Sequence, residues 1–221
     1  MNLLISLAKE AVENYIKERK VISLPENLPA EFYQRKAGAF VSIFRSTRET
    51  DAKRERETNA KELRGCIGTY LPTKENIATE IIFNAIAAAT EDYRFGSIQP
   101  AELAHLSYAV YVLNEPELVI ELNPVKWASP KIRKILFDRV NPKKFGIIVK
   151  TRPIFSSKNL GGQAKDVMFN GHSVPKSGLL LPDLEGIDTA EKQISIACQK
   201  GGIDPEKEKI IIYKFTVEKY Q

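Results

Sequence analysis

The stretch that most constrains the fold of this chain is the hexapeptide Leu63-Arg64-Gly65-Cys66-Ile67-Gly68. It places one of the two cysteines between two glycines and beside an arginine. Glycine permits a positive φ or a close approach of another backbone, so we expect one of these constraints at Gly65 and at Gly68. Arg64 next to a thiol favours the charged thiolate form. The hexapeptide is therefore expected to lie where neighbouring parts of the chain hold the backbone tightly.

Composition indicates a globular domain of the cytoplasm. Hydrophobic residues make up 43% of the chain and charged residues 28%, which is ordinary for a folded soluble protein. Two cysteines without paired spacing favour a reducing compartment. Glu10, Glu13 and Glu18 interrupt the apolar pattern near the start, which is atypical of a secretory peptide. No apolar run approaches the roughly 20 residues that span a membrane, so we expect no membrane partner.

The charge balance permits an anionic partner but does not identify one. The formal net charge is +5, from 33 basic and 28 acidic residues, and the calculated pI is about 9.0. The two signs interleave along the chain, and no long basic segment stands out. Nucleic-acid binding is therefore possible on charge and is not favoured.

The order of the apolar patterns predicts an α+β fold in one domain spanning residues 1–221. Helical periodicity or capping patterns occur over 3–16, 75–91, 126–137 and 188–200, with Thr73 and Asp188 as the expected helix caps. Strand patterns occur over 39–44, 63–70, 106–113, 145–150, 178–181 and 210–217. Because helices and strands do not alternate regularly, we expect a mainly antiparallel sheet flanked by helices.

Two long polar segments are predicted to be loops. Residues 45–62 carry six basic and five acidic residues, which is typical of a solvated hairpin loop. A docking surface is the alternative for this segment. Residues 151–177 are rich in Gly, Ser, Lys and Asn, and a loop of that length in a compact domain is either functional or mobile.

Cys66 is the candidate nucleophile, and its surroundings allow two interpretations. It is either an activated thiolate or a small apolar side chain packed in a strand. A cysteine nucleophile normally needs a base, but the spacing of His105 and His172 ties neither histidine to Cys66. Cys198 lies within an apolar helical pattern and is predicted to belong to the core.

A second candidate cluster consists of Asn84, Asp92 and Arg94. Asn84 precedes Asp92 by two helical turns, so both are expected on nearly the same side of a helix. Arg94 either closes the helix end as an ion pair with Asp92 or joins Arg64 in a pocket for phosphate or carboxylate. The sequence shows no metal-binding or cofactor-binding motif, so no metal or cofactor is predicted.

Three separated stretches resemble the AMMECR family and occur in that family's order. The first is the hexapeptide 63–68, and the second runs from Asn84-Ala85 through Asp92-Tyr93-Arg94-Phe95 to Glu102-Leu103. The third runs from Gly178 to Pro182 and then to a helix that ends in Cys198-Gln199-Lys200-Gly201-Gly202-Ile203. Tyr93 stands where the family usually has proline. Segments 45–62 and 151–176 look like insertions, so His172 inherits no family role.

The resemblance implies a larger and a smaller lobe with a cleft lined by the signature strand. In prokaryotes the family is often encoded beside, or fused to, a Memo-like protein and a radical SAM protein. The resemblance therefore implies a component of such a system. We therefore expect a ligand or substrate cleft around Cys66, Arg64 and Arg94, with Gly65, Gly68, Asn84 and Asp92 as further ligand-binding candidates. The alternatives are a non-enzymatic adaptor that binds other proteins and a nucleic-acid-binding protein. Whether the chain is an enzyme stays open, as does the identity of its small molecule or protein partner.

Overall fold

The computed structural model describes residues 2–51, 56–123, 129–151 and 175–221, which form two compact units. The first unit comprises Met1–Asn114 and Val217–Gln221, and the second comprises Glu115–Thr216. Each unit carries helices on a four-stranded antiparallel sheet, which confirms the predicted α+β class. The loop predicted over 151–177 lies almost wholly outside the described residues. The cleft between lobes stays a prediction.

The elements follow in chain order. They are α1 (Leu3–Glu18), α2 (Ala30–Gln34), β1 (Ala39–Asp51), β2 (Arg56–Gly68), α3 (Ile77–Thr90), a 3-10 helix (Pro100–His105), β3 (Leu106–Leu113), β4 (Glu117–Leu122), α4 (Pro130–Arg139), β5 (Gly146–Thr151), β6 (Ser177–Leu180), α5 (Ala190–Lys200), β7 (Ile210–Phe215) and β8 (Val217–Tyr220). The strand order is β2-β1-β3-β8 in the first unit and β4-β7-β5-β6 in the second. None of the described helices has the length and apolar character to cross a membrane.

The core of the first unit lies between its sheet and helices α1 and α3. Ala39, Val41 and Ile43 alternate along β1, and each is fully buried against this core. Because side chains alternate across a strand, Ser42 points to the opposite face of the sheet. Helix α3 contributes a nearly continuous apolar surface that includes Ile81.

Two helices begin one to three residues later than the sequence patterns predicted. Asn76, not Thr73, caps α3, because its side chain accepts a hydrogen bond from the backbone N–H of Thr79. In the same way, Thr189 rather than Asp188 caps α5. Both predicted caps were therefore wrong, although both helices were correctly placed.

The polar segment 45–62 is mostly a β-ladder and not a loop. Strand pairing continues from Arg45 opposite Glu62 to Asp51 opposite Arg56, so only residues 52–55 remain outside the described strands. Strand β3 pairs with β1 only as far as Arg45. Beyond that point the described ladder has two strands only. The sequence of those strands therefore needs no apolar side chains that alternate with polar ones. The apolar pattern therefore ended β1 too early, at residue 44, and began β2 too late, at residue 63.

Gly65 and Gly68 permit close packing and do not adopt a positive φ. Among the described glycines, a positive φ occurs at Gly186 and Gly202 only. A Cβ atom on Gly65 would lie 2.1 Å from the carbonyl oxygen of Ala88 in α3. A Cβ atom on Gly68 would lie 2.3 Å from the ring of Phe40. Gly65 therefore sets how closely α3 approaches the signature strand, and Gly68 leaves room for an aromatic ring.

The second unit uses the same packing device. A Cβ atom on Gly178 in β6 would lie 1.8 Å from the carbonyl oxygen of Ala197 in α5. Cys198, the next residue, is only 3% exposed, which confirms its predicted place in the core. Burial raises the pKa of the Cys198 thiol to about 11, so this cysteine stays protonated at neutral pH.

We expect the substitution Gly65→Ala to destabilise the protein by about 2 kcal/mol or more, because its methyl group meets backbone atoms that cannot move aside. The matched control is Gly96→Ala, since a Cβ atom there has no neighbour within 4 Å. The control should change stability by less than about 0.5 kcal/mol. Urea denaturation of both variants measures the difference. Equal stability would show that α3 does not pack this closely on β2.

Candidate functional site

Cys66 lies on an edge strand whose open side is occupied by two side chains. Among the described strands, β2 has β1 as its one neighbour. The backbone N–H of Cys66 donates to Asp92 Oδ2 at 2.8 Å, and its carbonyl accepts from Arg94 Nη2 at 3.4 Å. Both polar backbone groups of Cys66 therefore point away from β1. Its pairing with Ser42 across the ladder is consequently of the non-hydrogen-bonded kind.

The thiol of Cys66 accepts a hydrogen bond from the Ser42 hydroxyl, with Oγ and Sγ 3.2 Å apart. Side chains of a non-hydrogen-bonded pair approach each other closely, which explains the contact. Ser42 is only 5% exposed, and Cys66 is half-buried. The sequence analysis missed Ser42. The alternation in β1 places Ser42 on the correct face, but only the register of the two strands places it opposite Cys66.

Asp92 and Arg94 form a close ion pair beside the signature strand. The Asp92 carboxylate accepts from Arg94 Nη2 at 2.7 Å and from Arg94 Nε at 2.9 Å. The hydrogen bonds from Arg94 are the main cause that lowers the pKa of Asp92 to about 2, and the Cys66 N–H adds to this effect against the opposing effect of burial. Asp92 is 6% exposed, whereas the Arg94 side chain is 45% exposed. The observed geometry matches the ion-pair interpretation of these two residues.

Arg64 is directed away from the thiol by a β-bulge. Phe44 pairs with Leu63 and Ile43 pairs with Gly65, which leaves Arg64 as the extra residue of β2. Its guanidinium binds the carboxylate of Glu102 at 2.7 and 3.0 Å and the carbonyl of Gly96 at 2.8 Å. The expectation that Arg64 acts on the thiol therefore finds no support in this geometry.

Glu102 also lies at the site, although the sequence predicted no site role for it beyond its place in the family motif. Its hydrogen bonds with Arg64 are the main cause that lowers the pKa of the Glu102 carboxyl below the ordinary value. Glu102 also accepts from the backbone N–H of Gln99 and so caps the 3-10 helix. The segment between α3 and β3 is thereby tied to the signature strand at Arg64 as well as at Cys66.

Asn84 supports the backbone of β1 and does not contact Asp92 in the described interactions. Its amide donates to the carbonyl of Ala39 at 3.0 Å, and it is 6% exposed. Glu80, one turn earlier, is 1% exposed and accepts hydrogen bonds from Thr69 and from the Thr73 and Lys74 backbone. Burial raises the pKa of Glu80, but these hydrogen bonds together bring it below the ordinary value. Both side chains therefore fasten α3 to β1 and to the end of β2.

The described contacts of Cys66 include no histidine. His105 ends the 3-10 helix, and His172 lies outside the described residues. Within the described ranges, no group of three or more His, Cys, Asp or Glu side chains could hold a metal ion. A cavity of about 290 Å³ is lined by residues of the second unit, including Phe137 and Asp188, and by none of the signature residues.

Removing the charge of Asp92 should weaken the fold in a pH-dependent way. A carboxyl whose pKa falls from 3.8 to about 2 on folding stabilises the protein above pH ~4 and loses this effect as the pH falls toward 2. We expect Asp92→Asn to be less stable by about 2 kcal/mol at pH 7, with about half of that difference left at pH 3. Denaturant unfolding at the two pH values tests this. A difference that stays constant or grows at low pH would contradict it.

Comparison with known proteins shows the same fold and sequence pattern elsewhere. The family model AMMECR1 matches residues 5–220. A protein of Thermotoga maritima is 38% identical over 98% of this chain and 96% of its own length. A crystal structure of an uncharacterized protein from Pyrococcus horikoshii superposes with a TM-score of 0.68 at 28% identity, covering 98% of this chain and 88% of the other.

One similar protein is much longer than this chain. A protein of Clostridium acetobutylicum is 31% identical over 98% of this chain, but the matched region is only 34% of its length. The same domain therefore occurs as part of a larger polypeptide. The family model and the Thermotoga relative both span nearly the whole sequence, and the chain accordingly belongs to the AMMECR1 family.

Proposed function

We propose that the signature strand carries a ligand or substrate site in which the Cys66 thiol is the reactive group. The observation that carries the proposal is the set of hydrogen bonds that hold the sulfur and the backbone of Cys66. Its sulfur accepts a hydrogen bond from Ser42, and its backbone is tied on the open edge to Asp92 and Arg94. The residue is half-buried, unlike Cys198, which is 3% exposed. Such an arrangement holds a thiol in one place while leaving part of the residue open to a ligand.

The charged neighbour of this thiol favours an anionic ligand. Arg94 lies against the Cys66 carbonyl, and its side chain is 45% exposed although it pairs with Asp92. A guanidinium with that exposure can bind a carboxylate or phosphate of a ligand. The Cys66 thiolate then attacks an electrophilic carbon of the same ligand, its proton having passed to solvent, and the displaced group leaves with the electron pair. Arg64 supports the site by anchoring residues 96–102 and is not proposed as a ligand-binding group.

The test compares iodoacetate with the neutral reagent iodoacetamide in a Cys198→Ser background. We expect the iodoacetate-to-iodoacetamide rate ratio at Cys66 to exceed that of N-acetylcysteine amide about threefold or more, because Arg94 attracts the anion. Arg94→Gln should reduce the ratio to the reference value, and Arg94→Lys should keep most of it. Mass spectrometry measures the labelling. The complementary Cys66→Ser variant supplies the rate of Cys198, and labelling of Cys66 as slow as this would end the proposal.

A second function, that of a protein-interaction module, is favoured by Tyr93. This side chain is 97% exposed in the turn between Asp92 and Arg94. Aromatic side chains are enriched among the contact residues of protein interfaces. The longer Clostridium protein also supports this proposal, because there the matching region is only part of a larger polypeptide. The proposed partners are a Memo-like protein and a radical SAM protein, the two kinds of protein that the family resemblance implies.

The interaction proposal predicts that Tyr93→Ala weakens co-purification with these partners at least about tenfold, as loss of an interface hot spot does. The matched control is Phe137→Ala, which removes an aromatic side chain that is 83% exposed in the second unit. Equal binding of wild type and Tyr93→Ala would contradict the proposal. Nucleic-acid binding is not proposed, because the 33 basic and 28 acidic residues interleave along the chain.

A further inference from the structure

We infer that Ser42 is a positioning residue of the thiol site, where its hydroxyl orients the Cys66 sulfur. This inference rests on the proposed reactivity of Cys66. Ser42 is directly opposite Cys66 in the register of β1 and β2, and its Oγ lies 3.2 Å from Sγ. At 5% exposure the hydroxyl is largely withdrawn from water. A buried hydroxyl is costly unless it forms a hydrogen bond, and the sulfur accepts one here.

The place of Ser42 in the sheet makes it a rigid donor. Strand β1 is paired on both sides, with β2 and with β3, and Ala109 lies opposite Ser42 in β3. Cys66, in contrast, lies on the edge strand and depends on Asp92 to hold its backbone. The hydroxyl therefore comes from the fixed strand and the sulfur from the strand at the edge.

Ser107 provides a matched control on the same face of the sheet. It lies two residues before Ala109 in β3 and opposite Phe44, so its side chain points the same way as that of Ser42. Its Oγ is buried and has no hydrogen-bond partner among the described residues. The substitution Ser107→Ala thus removes the same chemical group from the same face without removing a contact to Cys66.

The experiment measures the rate of alkylation of Cys66 by iodoacetamide from pH 6 to 9 in the Cys198→Ser background. We expect Ser42→Ala to slow labelling about five- to tenfold at pH 7, because the sulfur loses the donor that orients it. Ser42→Thr, which keeps the hydroxyl, should restore most of the rate. Ser107→Ala should leave the profile unchanged. Thermal unfolding of each variant confirms that folded protein is compared.

The outcomes separate this inference from the proposed function. If Ser42→Ala keeps the wild-type profile while Cys66 labels readily, Ser42 is not a positioning residue and the thiol site stands. If Ser42→Thr labels no faster than Ser42→Ala, the hydroxyl has a packing role only and the inference fails. If wild-type Cys66 labels as slowly as Cys198, both the proposed function and this inference are overturned.

Discussion

The hydrogen bond from the Cys66 N–H to the Asp92 carboxylate is the interaction on which the signature strand depends. An edge strand presents backbone donors and acceptors that no neighbouring strand satisfies. Here Asp92 accepts the outward N–H, and Arg94 donates to the outward carbonyl, so two side chains replace one step of a missing strand. Arg94 also neutralises Asp92, which makes a carboxylate with 6% exposure tolerable beside the sheet.

Most residues of the signature consequently have a structural role. Gly65 lets helix α3 touch the strand, and the bulge at Arg64 directs a guanidinium to Glu102 and Gly96. These contacts hold the segment between α3 and β3 against β2 from two points. Ile67 packs against the core of the first unit, whereas Cys66 is not among the residues of that core or packed on it. The hydrogen bond from Ser42 to the Cys66 sulfur is therefore the contact of the signature that bears most directly on the proposed reactivity.

The sequence predicted the elements well where apolar periodicity reports burial. The helices around α1, α3 and α5 and the strand that carries Cys66 follow from such patterns. The β1–β2 ladder beyond Arg45 did not, because no third described strand pairs with it there. Strand β4 was missed for a similar reason, since its residues are mainly exposed or half-buried. Periodicity is informative only where one face of an element is covered.

Several residues of the candidate site could be predicted from the sequence, but their contacts could not. The motif residues Cys66, Asp92 and Arg94 could be named from sequence, yet the choice between an ion pair and an anion pocket needed coordinates. Predicting that Ser42 belongs to the site required the register of β1 and β2, which the apolar pattern does not supply. Predicting the contacts of Arg64 required the position of the β-bulge. The bulge turns the Arg64 side chain away from the direction that simple alternation predicts.

Amide hydrogen exchange at Cys66 tests the central claim most directly. The account predicts that this amide is strongly protected although it faces the open edge of β2, and that Asp92→Asn makes it exchange faster while the amides of Gly65 and Ile67, which face β1, stay protected. Rapid exchange of the Cys66 amide in the unaltered protein would contradict the account. It would mean that Asp92 does not hold the strand and that the thiol has no fixed position.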